Sequence, residues 1–163
     1  MPIKYVKGDL FSTDIKCIAH GCNTAGVMGS GVAAVVKKKF PNTFKAYEVE
    51  CMVPSDYVGI IDLAHHRASL LGKTVVWSEK NYVIFNMFTQ GDWSRAYGTD
   101  HRYVSYDAVQ ECFEAANNLI KKDEDKRLAI PMIGAGLGGG DWDIIEKIIE
   151  KSCPDIEVTV YQL

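Results

Sequence analysis

One stretch limits the possible folds more than any other: residues 128–142, LAIPMIGAGLGGGDW. An apolar run over 128–133 breaks into five glycines within the seven residues 134–140, and a helical pattern follows over 141–151. A buried strand that opens into bare backbone and then a helix start is how an α/β protein builds an anion site. Glycines let the main chain approach a ligand, and free N–H groups together with the helix dipole favour negative charge. A second stretch, residues 18–32 (IAHGCNTAGVMGSGV), repeats this logic near the other end of the chain. Two such loops on neighbouring strands predict two anion cradles facing one cleft, which suits a diphosphate or a phosphate beside a ribose. The alternative is that the glycines only make tight turns.

Periodicity supplies the order of the remaining elements. Residues 4–7 alternate and predict a short strand, ended by Gly8-Asp9-Leu10-Phe11, and residues 15–22 predict a buried strand. Helices are expected over 32–40, stopped by Pro41, and over 43–52, while 53–71 has no assignable pattern. Residues 73–77 and 82–88 read as strands joined by a turn at 78–81, and 89–99 as an exposed polar loop. A helix over 103–122 would turn Ala108, Cys112, Ala115, Ala116 and Leu119 inward. Strand 128–133, helix 141–151 and strand 157–163 complete the chain. Strands alternating with helices imply an α/β fold whose mixed, largely parallel sheet is covered on both faces. With no repeat or linker, residues 1–163 form one domain.

A chain of 163 residues buries a full core without staples. With 47% hydrophobic and 24% charged residues and a formal charge of −3, it reads as soluble, and no basic footprint points to nucleic acid. Lys37-Lys38-Lys39 falls where a helix is expected to end, so it complements the dipole. No signal segment and no membrane-length apolar run is present, so a cytoplasmic protein is expected, and a monomer is the expected state. The cysteines, Cys17, Cys22, Cys51, Cys112 and Cys153, are odd in number and lack paired spacing, so reduced packing thiols are expected. None has Arg six positions on, which argues against a cysteine-phosphatase loop. His65 and His66 are adjacent and point apart, so no metal is expected. No Walker loop occurs. Gly134-x-Gly136-x-x-Gly139 matches the dinucleotide fingerprint formally, but too little chain follows it for that fold, and no cofactor is expected.

Five polar residues stand near the loops. His20, in the second predicted strand, is either a base that takes a proton from water or a hydrogen-bonded core histidine. Asn23, at that strand's end, can donate to a ribose hydroxyl or phosphate oxygen. Asp9 can accept from an exocyclic amine or simply shape its turn. Asp92 is a solvated charge or an acid reaching the cleft, and Asp141 should cap the last helix.

Taken together, these residues resemble the macro domains that bind ADP-ribose. Gly8-Asp9-Leu10-Phe11 looks like the family's Gly-Asp-Ile/Leu element, whose aspartate holds the adenine amine. Residues 18–33 line up without a gap on its V-N-A-A-N block and the following Gly-rich helix start, with Asn23 on the asparagine that contacts the distal ribose. Gly29-Ser30-Gly31-Val32 matches the loop over that ribose and phosphate, and Ile133-Gly134-Ala135-Gly136-Leu137-Gly138 the diphosphate loop. The resemblance implies a three-layer α/β/α domain and adds Ala19, Met28, Thr89, Pro131 and Leu163 to the expected ligand contacts. His20 replaces the block's first asparagine, and with Cys22-Asn23 it is similar to the yeast-type ADP-ribose 1''-phosphate phosphatases, as are residues 70–73 and 159–163. The Lys and Asp pair of related glutamate-deconjugating enzymes is replaced by Gln90 and Gly138. The implied activity is metal-free hydrolysis of ADP-ribose 1''-phosphate, with His20 activating water, Asn23 at the phosphate and Asp92 assisting. The alternatives are a non-catalytic ADP-ribose reader or a hydrolase of ADP-ribosyl groups on protein, nucleic acid or small-molecule adducts. For the phosphatase, the expected partner is the small-molecule ligand alone, with no direct nucleic-acid or membrane partner.

Overall fold

Six strands pair into one sheet, β1 (Lys4–Lys7), β2 (Cys17–Asn23), β3 (Thr74–Glu79), β4 (Tyr82–Gln90), β5 (Arg127–Ile130) and β6 (Glu157–Gln162), in the spatial order β1-β6-β5-β2-β4-β3. All neighbours run parallel except β3 and β4, which form an antiparallel hairpin. The structure is a computed structural model that describes residues 2–29, 31–52, 60–91, 104–135 and 139–162. Helices α1 (Gly31–Lys39), α2 (Pro41–Cys51) and α3 (Ile60–Leu70) connect β2 to β3. Helix α4 (Tyr106–Ile120) connects β4 to β5, and α5 (Trp142–Ser152) connects β5 to β6.

Strand parity sorts the core into two layers. Cys17 and Ala19 of β2, Phe85 and Met87 of β4, and Leu128 and Ile130 of β5 face α4 and α5. Ile18, Cys22, Ile84, Phe88 and Ala129 face the other way, against Val36 of α1 and Tyr47 of α2. The result is the expected α/β/α arrangement, with β2 buried on both faces as a central parallel strand requires. Each fully buried Phe or Ile side chain contributes roughly 1.5–3 kcal/mol by leaving water, and Phe113, Ile145 and Ile149 are of this kind.

Most expected elements are present, with shifted ends. Pro41 opens α2 as its first residue, where a missing N–H costs nothing. Strand β5 stops at Ile130 because Pro131 cannot donate to the ladder. Thr89 and Gln90, expected in a loop, extend β4. The β3–β4 turn is only Lys80-Asn81, both at positive φ. On α4 the buried stripe is Val109, Cys112, Phe113, Ala116 and Ile120, and Leu119 is 51% exposed rather than inward. Helix α3 lies in the stretch without a readable pattern. All five cysteines are free and buried, and Asp141 caps α5 by accepting from Asp143 N at 2.9 Å. Glu79 caps α2 from the hairpin tip, with Oε1 accepting from Thr43 N at 2.9 Å, while Lys80 Nζ donates to Lys39 O at the end of α1. No helix among the described residues is long and apolar enough to cross a membrane.

Candidate functional site

Five parallel strands put five carboxyl ends, Lys7, Gln162, Ile130, Asn23 and Gln90, along one side of the sheet. The chain leaves β2 by way of helices on one face and returns from β4 to β5 by way of α4 on the other. The point where the connections switch faces therefore lies between the loops that follow β2 and β5, the position where α/β sheets bind ligands. Three strand spacings separate β1 from β2, so Asp9 and Asn23 stand roughly 14 Å apart across the sheet. That span fits an extended ligand with one end at each residue.

The two glycine loops meet because β2 ends in bare backbone. A Cβ on Gly21 would lie 2.7 Å from Thr89 Oγ1 and 3.2 Å from Ile133 Cγ2. Ile133, from the loop after β5, thus packs directly over the end of β2. Thr89 is the extra residue of a bulge, since Cys22 pairs with Phe88 and Asn23 with Gln90. Its hydroxyl is buried without a hydrogen-bond partner among the described residues.

Asn23 is half-buried at the end of β2, at this switch point. Its Oδ1 accepts from Ala25 N at 3.0 Å and from Tyr47 Oη at 2.8 Å, and its amide nitrogen donates to Val27 O at 2.8 Å. The side chain therefore shapes the 24–28 turn, and its second amide hydrogen has no partner among the described residues. Tyr47 is buried on α2 and stacks on Phe88 at 5.4 Å. Burial pushes its phenol well above the ordinary range, so it stays a donor.

His20 sits elsewhere. It shares strand parity with Ile18 and Cys22, has 0% exposure, and places Nε2 2.7 Å from Asn86 Oδ1. Asn86 Nδ2 donates to Val75 O at 3.0 Å, which fixes the amide orientation and makes His20 Nε2 the donor. Cys22 Sγ lies 3.5 Å from the same nitrogen. Burial lowers the imidazole pKa to about 4, against the smaller raising effect of the Asn86 bond, so the ring is neutral. A sealed imidazole with its proton committed to a core amide does not reach a water at the strand ends. The expected role of His20 as base does not fit this geometry, and the core-histidine alternative does.

Other expected residues divide by burial. Gly8, Asp9, Gly29 and Gly31 are exposed along the strand ends, with Val32, Pro131, Gly134 and Ala135 half-buried beside them. Gly134 turns at φ 78°, and a Cβ there would come within 2.8 Å of Val104 Cγ2, so both conformation and space demand glycine. Asp9 caps the short turn Leu10–Ser12 by accepting from Phe11 N at 3.0 Å, and its exposed carboxylate retains lone pairs for a further donor. Leu10, Ala19, Met28, Thr89 and Ile133 have side chains in the core, so of these residues only the backbone is available to a ligand. Ser30, Asp92, Gly136, Leu137, Gly138 and Leu163 lie outside the described residues. Helix α5 starts with its own carboxylates, Asp141 and Asp143, which occupy its positive end and disfavour an anion there. Among the described residues no group of His, Cys, Asp or Glu can hold a metal.

Sequence reasoning missed Asn86 and Tyr47. Asn86 had a signal, an amide in the middle of the apolar run VIFNMF. Tyr47 was readable only as one of three inward positions, Thr43, Tyr47 and Cys51, on α2.

A model of the Macro domain family matches residues 19–149. The chain belongs to the Macro domain family. The match begins after Asp9, yet full-length relatives extend it. An uncharacterised 17.5 kDa protein from the tk-vs intergenic region of Enterobacteria phage T4 is 30% identical over 98% of this chain and 96% of its own. The ADP-ribose 1''-phosphate phosphatase of Candida albicans is 30% identical over 91% of this macro domain and 92% of the phosphatase. The DNA ADP-ribosyl glycohydrolase of Thermus aquaticus is 27% identical over 98% of this chain, which spans 41% of that protein. Among solved structures, a Bacteroides thetaiotaomicron protein of unknown function superposes with a TM-score of 0.78 at 27% identity, covering 100% of this chain and 99% of that one.

Proposed function

We propose that this macro domain binds ADP-ribose 1''-phosphate along the strand ends and hydrolyses its terminal phosphomonoester. One observation carries the reading: Asn23, with an uncommitted amide hydrogen, stands at the end of β2 beside the Gly134 turn that follows the neighbouring strand β5. The likeness to the Candida albicans phosphatase supports the choice of substrate. Asp9 accepts from the adenine amine, the loop that begins at Gly134 receives the diphosphate, and Asn23 donates toward the distal ribose and its phosphate. Asp92, which follows the end of β4 in sequence, is the proposed base, because His20 is sealed in the core. Water adds to phosphorus, the phosphorus–oxygen ester bond breaks, and ADP-ribose leaves with the ester oxygen. Fixed donors at the strand ends offset the charge that builds on the phosphoryl oxygens.

The test is phosphate release from ADP-ribose 1''-phosphate without added metal. Wild type should turn over, and Asp92→Asn should reduce the rate by about 10²–10⁴ while ADP-ribose still binds. A wild type that binds ADP-ribose without releasing phosphate would overturn the phosphatase reading. The Thermus aquaticus relative favours a second reading, removal of ADP-ribosyl groups from DNA. Release of ADP-ribose from modified DNA by the same preparation would select it.

A further inference from the structure

The sheet has two outer edges, and they are built differently. β1 is four residues long with Lys4 and Lys7 at its ends, a common protection against stray pairing. β3 is six residues, TVVWSE, paired with β4 without a register shift, and it leaves Val76 37% and Trp77 45% exposed. The strand itself contains no proline, no lysine and no bulge.

The hairpin fixes which backbone groups of β3 face outward. A two-residue turn at Lys80-Asn81, positive in φ at both positions, makes Glu79 and Tyr82 a hydrogen-bonded pair. At the other end Phe88 N donates to Lys73 O at 2.9 Å, in the same phase. Val75, Trp77 and Glu79 therefore spend their N–H and C=O groups on β4, and Thr74, Val76 and Ser78 direct theirs away from the sheet. Among the described residues no strand takes them up.

We propose that this edge pairs with the same edge of a second copy of the chain, antiparallel, about a two-fold axis through Val76 and perpendicular to the sheet. In that register Val76 faces itself and Thr74 faces Ser78 of the second copy, so every outward backbone group of β3 finds a partner. A slip by one residue sets outward groups against groups already spent on β4, and a slip by two leaves part of the strand unpaired. Side chains agree with the backbone. Val75 and Trp77 share the α2 side of β3 and meet as aromatic–β-branched pairs, once on each side of the axis. One step beyond the strand, exposed Lys73 stands opposite Glu79 of the second copy, and the two-fold repeats this charge pair. Self-complementarity in hydrogen bonds, apolar pairs and charge selects a second copy as the occupant, in place of the expected monomer. A single strand edge lies at the small end of protein interfaces, so the dimer is weak and reversible.

Sedimentation of the intact protein tests this, with monomer at about 5 μM and mostly dimer at about 500 μM, the range expected of a small interface. Lys73→Glu opposes two carboxylates and Val76→Lys opposes two ammonium groups at the axis, and each should weaken association at least ~10-fold. Amide exchange of the wild type gives a readout that needs no variant. Thr74, Val76 and Ser78 should slow with concentration, whereas Val75 and Trp77 are protected throughout. A wild type that stays monomeric, a dimer untouched by Val76→Lys, or protection that leaves Thr74, Val76 and Ser78 unchanged would overturn the proposal.

Discussion

His20 and Asn23 lie three positions apart on the same strand, and the fold treats them as opposites. His20 is sealed between Asn86 and Cys22, gives its proton to a core amide, and has no exposed surface. Asn23 is half-buried at the end of β2, and its partners among the described residues, Ala25, Val27 and Tyr47, leave one amide hydrogen unused. Both are polar residues in an otherwise apolar strand. What separates them is parity and position: His20 points into the α1–α2 layer, and Asn23 falls where the β2–β4 register shifts and the strand ends. One polar group serves the fold, and the other is the one the proposed function assigns to the ligand.

Exchanging each for alanine should separate the two roles, with the largest effect on the sealed one. His20→Ala leaves Asn86 Oδ1 unpaired in the core and opens a cavity, at an expected cost of roughly 3–4 kcal/mol. Phosphate release per folded molecule should change by no more than a few-fold. Asn23→Ala should do the reverse, reducing that rate by about 10²–10³ as expected for a lost donor to a developing oxyanion, with a smaller loss of stability. Urea titration and turnover measured on the same preparations decide the matter. A His20→Ala protein that is stable but inactive would return the histidine to the mechanism.

The sequence allowed the strands, the glycine loops and the cap at Asp141 to be read directly, because each depends on local chemistry. The face of β2 was not legible. Cys17 and Ala19 on one side and Ile18 and Cys22 on the other are all apolar, so a strand buried on both faces has no polar side to orient it. That is why His20 could be placed equally well in a crevice or a core. Thr89 was read as loop because the bulge opposite Asn23 is a property of two strands, not of one. Helix α3 escaped notice because His65-His66-Arg67 interrupts any apolar period, and Tyr47 because its partner is 24 residues away.

A pH series sharpens the comparison further. The folded-state pKa of His20 is about 4 against an ordinary 6.5, so the unfolded chain binds a proton between these values and the folded chain does not. Stability from this group is complete above about pH 6.5 and is lost as pH falls toward 4. At 1.36 kcal/mol per pH unit the loss amounts to about 3 kcal/mol. Asp123 and Asp125 also lose stability on acidification, since hydrogen bonds from Lys16 and Arg127 hold their carboxyls low. The histidine part is therefore the difference in slope between wild type and His20→Ala over this window. Parallel curves would mean that His20 is not sealed.

The smallest change tests whether the two regions are as separate as they look. Tyr47 belongs to both: its ring is stacked on Phe88 in the core and its hydroxyl lies 2.8 Å from Asn23 Oδ1 and 2.9 Å from Asn23 O. Tyr47→Phe keeps the ring and removes only the hydroxyl. Ala25 N still satisfies Asn23 Oδ1, so the stability cost should be about 1 kcal/mol, that of an ordinary hydrogen bond. The site should respond more than the fold does. Without the phenol, only the local turn holds the Asn23 side chain, and ADP-ribose affinity measured by calorimetry should fall about 3- to 10-fold, matching the loss of one modest hydrogen bond. Unchanged affinity with the same loss of stability would make Tyr47 a core residue alone and leave Asn23 oriented by Ala25 and Val27. A loss of affinity larger than that of Asn23→Ala would instead place the phenol itself against the ligand.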